Sequence, residues 1–165
     1  MSASFKQEKK IFLRPGQVFF SNRPSVVTTV LGSCVSVTMF SADHRCGAIC
    51  HAILPEEKDP GDACRYVDSS IMKMLRAFSR NGIDYSRIEV KLFGGSDVLP
   101  VVEAGKQRAT VGQQNIEAAM RVIERERLNL AASDLGGVRG RKILFRTHTG
   151  EILLKRLHRV ERPTP

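Results

Sequence analysis

The stretch from residue 25 to 54, SVVTTVLGSCVSVTMFSADHRCGAICHAIL, decides how the chain must fold. It holds three runs rich in Val, Thr and Ile, residues 25–31, 34–40 and 47–54, and each has the β-branched composition of a strand. Residues 41–46 between the second and third runs are mostly polar and end before Gly47, which predicts a hairpin. Residues opposite each other in a hairpin keep a constant sum of sequence numbers, and alternate residues share a face. With the loop centred between Asp43 and His44, Ser36 falls opposite His51 and Cys34 opposite Ile53. Cys34 and His51 then become diagonal neighbours on one face, about 7–8 Å apart at Cα, within reach of each other's side chains. A slip of one residue would send them to opposite faces.

Outward from this hairpin, Val67, Ile71, Met74, Leu75 and Phe78 recur at helical spacing, and Asn81-Gly82 supplies a stop. Residues 87–93 alternate Ile88, Val90 and Leu92 before breaking at Gly94-Gly95, which predicts a strand ending in a tight turn. A second helix is expected over 113–128, with Ile116, Ala119, Met120 and Ile123 on one face. Strands over 141–146 and 151–157 flank Thr147-His148-Thr149-Gly150 as another hairpin. The expected architecture is a single-domain, layered α/β fold over 1–165 with a mixed, largely antiparallel sheet. Its core spans about 15–157, and residues 1–10 and 158–165 are expected to fray.

The chain has 165 residues and 42% hydrophobic residues, enough for one core without disulfides or a structural metal. No run approaches the roughly 18 apolar residues of a membrane span, and residues 1–10 are polar with no apolar h-region, so a cytoplasmic protein is expected. In that reducing setting Cys34, Cys46, Cys50 and Cys64 are better read as thiols than as disulfides. A metal site built from Cys46, Cys50, His51 and Cys64 is disfavoured, because it lacks a paired Cys-x-x-Cys and sets the adjacent Cys50 and His51 on opposite strand faces. His44 and His148 sit in predicted turns and read as exposed loop residues.

Lys and Arg outnumber Asp and Glu 26 to 17, giving a net charge of +9. The excess gathers in Arg139, Arg141, Lys142, Arg146, Lys155, Arg156, Arg159 and Arg162, a pattern suited to an acidic partner. Nucleic acid is disfavoured as a partner by this pattern. There is no Trp, and Phe and Tyr do not interleave with the basic residues as a stacking surface requires.

Cys34 follows Leu31-Gly32-Ser33 and so opens a strand after a turn, where backbone N–H groups are free to face a reacting carbonyl. His51 on the same face would draw the proton from the thiol and hold it largely as thiolate. No Asp or Asn lies near on these strands to orient the imidazole, whereas Thr28 and Thr29 do. Thr28 shares strand parity with Cys34 and is preferred on that ground.

The segments VLGSCVSV (30–37) and GAICHAILP (47–55) resemble the active-site region of CheD, the chemoreceptor glutamine deamidase family. KLFGG (91–95), GQQNI (112–116), DLGG (134–137), GRK (140–142) and TGE (149–151) resemble that family's later motifs in the same order. The resemblance implies a fold shared with the catalytic domain of cytotoxic necrotizing factor toxins, and a catalytic Cys, His and Thr. Cys34 and His51 match directly, and Thr28 or Thr29 supplies the threonine. It further implies deamidation of glutamine side chains on methyl-accepting chemotaxis receptors through a cysteine thioester, with no cofactor and no metal. Receptor methylesterase activity by the same route and docking to a CheC-like chemotaxis phosphatase are also implied. Two other classes predict different behaviour. A non-catalytic regulatory partner of such a phosphatase would bind without turnover, and a nucleic-acid-binding module would show steeply salt-dependent affinity.

Overall fold

The computed structural model describes residues 7–98 and 109–158. In chain order its elements are β1 (Lys9–Phe12), β2 (Val18–Ser21), β3 (Ser25–Leu31), β4 (Val35–Ser41), β5 (Cys46–Cys50), α1 (Val67–Arg80), β6 (Glu89–Gly94), α2 (Val111–Arg125), β7 (Asn129–Leu135), β8 (Arg141–Arg146) and β9 (Ile152–Arg156). Short 3-10 turns occupy Pro60–Arg65 and Tyr85–Arg87.

The layered α/β class is as expected, but the strands form two sheets rather than one. The first has the order β1-β3-β8-β9 and the second β2-β5-β4-β6-β7. The β1–β3 and β6–β7 pairings are parallel and the others antiparallel. The chain therefore changes sheet at Gly32-Ser33, between β3 and β4.

Three layers follow from which faces are apolar. Leu13, Val27, Leu31, Ile143 and Phe145 from the first sheet pack on Ile49 and Phe93 of the second, closing one core between the sheets. On its other face the second sheet presents Val35, Val37, Met39, Ala48, Cys50, Val90 and Leu92 to the apolar stripes of α1 and α2. On α1 that stripe is Val67, Ile71, Met74, Leu75 and Phe78, at helical spacing; each such side chain removed from water contributes about 1.5–3 kcal/mol. Because β4 and β5 lie between two cores, every residue of β5 and all but Phe40 of β4 are buried. β8 borders only one core and alternates accordingly, with Arg141, Ile143 and Phe145 inward.

Three strands lay outside the sequence reading. β1 has four residues, largely exposed, in a segment expected to fray. β2 is equally short, and β7 is a largely exposed edge strand that follows α2 and pairs with β6 in parallel. The second helix starts two residues earlier and ends three earlier than expected. Thr110 caps it by accepting the Gln113 N–H at 3.2 Å.

Candidate active site

The β4–β5 register is the expected one. Thr38 pairs with Ile49, Met39 with Ala48, Phe40 with Gly47 and Ser41 with Cys46, and the same register continues at Val35 and Ala52. Val35 and Ala52 exchange both backbone hydrogen bonds, at 3.1 and 2.9 Å. The next pair, Ser36 with His51, is thus of the non-hydrogen-bonded kind, whose side chains stand closest. His51 turns its own backbone the other way, donating to the Gln17 carbonyl at 3.0 Å and accepting from Gly16 at 2.8 Å. Cys34, packed against the core between the sheets, lies diagonal to His51 on that face.

His51 is only 3% exposed, and its Nδ1 sits 2.7 Å from Thr29 Oγ1. The Thr29 hydroxyl has a single proton, which it donates to the Leu13 carbonyl at 2.8 Å. Toward His51 it can only accept, so Nδ1 carries the imidazole proton and Nε2 keeps its lone pair. Of the two candidate threonines, Thr28 and Thr29, it is Thr29 that the fold brings to His51. Strand parity does not carry through Gly32-Ser33, because β3 and β4 belong to different sheets. Thr29 points inward from the first sheet and meets His51 pointing inward from the second, whereas Thr28 takes the other face of β3 and offers its carbonyl to the Leu13 N–H at 2.9 Å.

The charge state of the pair also departs from expectation. Burial lowers the His51 pKa to about 4 and raises that of the Cys34 thiol, the latter offset in part by the N–H of Cys34 itself. At neutral pH both groups are therefore uncharged.

Four residues to which the sequence assigned no part in the site hold the Cys34 loop. Gly95 donates its N–H to the Cys34 carbonyl at 2.9 Å, and Ser96 donates its N–H to the Gly32 carbonyl, also at 2.9 Å. Gly94 lies so close beneath, with φ of 104°, that a methyl group there would collide with the Cys34 carbonyl oxygen. Asn115 of α2 donates from Nδ2 to the carbonyls of Ser33 at 3.0 Å and Ile53 at 2.9 Å. Glycines and a helix-borne Asn were visible in the motifs, yet only the fold brings them to Cys34.

Arg141, grouped in the sequence with basic residues suited to an acidic partner, is 3% exposed. It donates to Asp134 at 2.6 Å, to Ser96 Oγ at 3.0 Å and to the Gly136 carbonyl at 2.7 Å. Its guanidinium thus supports the loop from behind instead of facing a partner. His148 is likewise less exposed than expected, its ring lying 3.3 Å from Glu8. Cys50 faces the helices, opposite to His51, and fills core volume with its pKa pushed up to about 12 by burial. Among the described residues no cluster of three or more His, Cys, Asp or Glu is placed to hold a metal.

The fold thus brings an inward-facing cysteine and a buried, threonine-bound histidine to the junction of two sheets. Comparison with known proteins assigns the family. The pattern described as CheD chemotactic sensory transduction matches residues 53–156. A relative from Geobacter sulfurreducens, a probable chemoreceptor glutamine deamidase CheD 2, is 52% identical over 161 residues, covering 98% of each chain. One from Maridesulfovibrio salexigens, a probable chemoreceptor glutamine deamidase CheD, is 38% identical over 159 residues, covering 92% of this chain and 94% of the relative. This chain belongs to the CheD family. The family match begins two residues after His51, and the G. sulfurreducens alignment extends across Thr29, Cys34 and His51 as well.

Proposed function

We propose that this protein deamidates glutamine side chains of methyl-accepting chemotaxis receptors, with Cys34 as nucleophile, His51 as base and acid, and Thr29 orienting His51. The observation that carries the reading is the 2.7 Å contact of Thr29 with His51 Nδ1, which leaves Nε2 as the proton acceptor on the face shared with Cys34. The names of the relatives supply the substrate class.

The chemistry balances with water alone. His51 takes the thiol proton as Cys34 Sγ adds to the amide carbon, and the carbonyl π pair moves onto oxygen. The tetrahedral centre collapses with C–N cleavage as the protonated imidazole gives its proton to the departing ammonia. Water, deprotonated by His51, then attacks the thioester, releasing a glutamate carboxylate and restoring the thiol. A glutamate methyl ester would follow the same path with methanol as leaving group, so receptor methylesterase activity belongs to this proposal.

So do a single domain that works in the cytoplasm, a fold shared with the catalytic domain of cytotoxic necrotizing factor toxins, and docking to a CheC-like phosphatase. In support, no helix among the described residues is long and apolar enough to cross a membrane. The test is intact-mass analysis of a receptor cytoplasmic fragment, since each deamidation adds about one dalton. Wild type is expected to shift the mass, and Cys34→Ala to abolish the shift while keeping a wild-type melting transition. Full activity in Cys34→Ala would remove the nucleophile assignment.

A further inference from the structure

Every acyl transfer that passes through a tetrahedral centre needs a donor for the developing oxyanion, and the position of that donor depends on what fixes its peptide plane. The Ser33–Cys34 peptide is trans, so its carbonyl and the Cys34 N–H point in opposite directions. Asn115 holds the carbonyl side at 3.0 Å. We propose that Asn115 is a positioning residue that, by holding the Ser33 carbonyl, aims the Cys34 N–H at the site where the oxyanion forms. This inference rests on the deamidase reading and adds to it the donor and the residue that sets it.

Several observations agree. Among the described residues the Cys34 N–H has no backbone or side-chain acceptor on another residue, whereas the next N–H, of Val35, is spent on Ala52. The same amide of Asn115 donates to Ile53, the residue opposite Cys34 and two beyond His51, so one side chain ties the nucleophile's segment to the base's. Both partners are carbonyls, which fixes the amide orientation and leaves Asn115 Oδ1 buried with no partner, in a residue 0% exposed. A polar side chain kept in the interior with one atom unpaired is a residue that packing alone does not call for. The preceding peptide is held in the same way, with Ser96 gripping the Gly32 carbonyl and Arg141 gripping Ser96.

The experiment compares two reactions of the same sulfur. Deamidation builds an oxyanion, and alkylation by iodoacetamide builds none. Asn115→Ala is expected to lower kcat for deamidation of a receptor fragment by about 10²-fold or more, the usual cost of losing one oxyanion donor. The alkylation rate of Cys34 should stay within about threefold of wild type in the same variant, since thiol and base are untouched. Asn115→Asp should recover part of the lost activity as the pH is lowered, because only the protonated carboxyl can donate. Deamidation within about threefold of wild type in folded Asn115→Ala, or alkylation falling in parallel with deamidation, overturns the proposal.

An arm on wild-type protein covers a variant that fails to fold. It uses a peptide aldehyde in which CHO replaces the glutamine carboxamide, forming a hemithioacetal on Cys34. The Cys34 amide proton is expected to move downfield in the adduct, and an unmoved signal overturns the proposal. Wild type that leaves every receptor fragment unchanged would instead defeat the deamidase reading, with the aldehyde arm still deciding the donor.

Discussion

Thr29 has one proton to give, and it gives it to Leu13, so its effect on His51 is to select a tautomer as well as an angle. Thr29→Val should therefore lower deamidation by about 10²-fold, the scale on which a misplaced catalytic group is felt, while Thr29→Ser retains most activity. Thr28→Ala should stay within about twofold of wild type, in keeping with a side chain away from the site. The assay is the receptor-fragment mass shift. His51 also couples the site to pH. Its folded pKa of about 4 lies below the ordinary 6.5, so between these values the unfolded chain binds more protons. Stability is then fully present above about pH 6.5 and falls as the pH drops toward 4, by about 3 kcal/mol in total. Denaturant midpoints measured across this window should show that slope, and His51→Asn should flatten it. At this scale the register that sets Cys34 diagonal to His51 was legible because both belong to one hairpin, where parity is dependable. The threonine was not, since its contact crosses between sheets and no periodicity along the chain encodes that.

The hairpin of β4 and β5 positions His51, but the end of β6 and the start of α2 position Cys34. Gly94 accepts the Cys34 loop at a distance no side chain permits and at a φ that L-residues avoid. Gly94→Ala should cost more than about 1–3 kcal/mol in urea denaturation, and it should lower activity further than the folded fraction accounts for. Gly82→Ala provides the comparison, because that glycine shares a positive φ but faces open space. Elements with strong internal patterns, α1, β3 and β8, were legible almost to the residue. β1, β2 and β7 were not, because strands of four residues and exposed edge strands without alternation owe their form to a neighbour's backbone and not to a pattern of their own. The break at Gly94-Gly95 was visible as a turn, whereas its role in seating Cys34 depended on β6 lying beside β4.

Across the whole molecule the net charge of +9 needs sorting by location before it can be assigned to recognition. Arg141 is interior, Arg156 is paired with Asp134, and Arg146 with Glu8 and Glu151. Arg139 is exposed and bonds the Leu157 carbonyl, Arg159 and Arg162 lie outside the described residues, and Lys142 and Lys155 are exposed and face each other as register partners across β8 and β9. Reversing both, Lys142→Glu with Lys155→Glu, should slow association with an acidic receptor fragment at low salt and flatten its salt dependence, leaving turnover of a short glutamine peptide unchanged. Unchanged association in stopped-flow measurements would remove these lysines from steering. Composition announced the charge, but only burial divides structural arginines from free lysines. The double burial of β4 has a further consequence. Its amides are bonded to β5 on one side and β6 on the other, beneath a core on each face, so no local opening exposes them. Their exchange with solvent deuterium then requires the whole molecule to unfold, and the strand that begins beside Cys34 becomes the slowest-exchanging part of the chain.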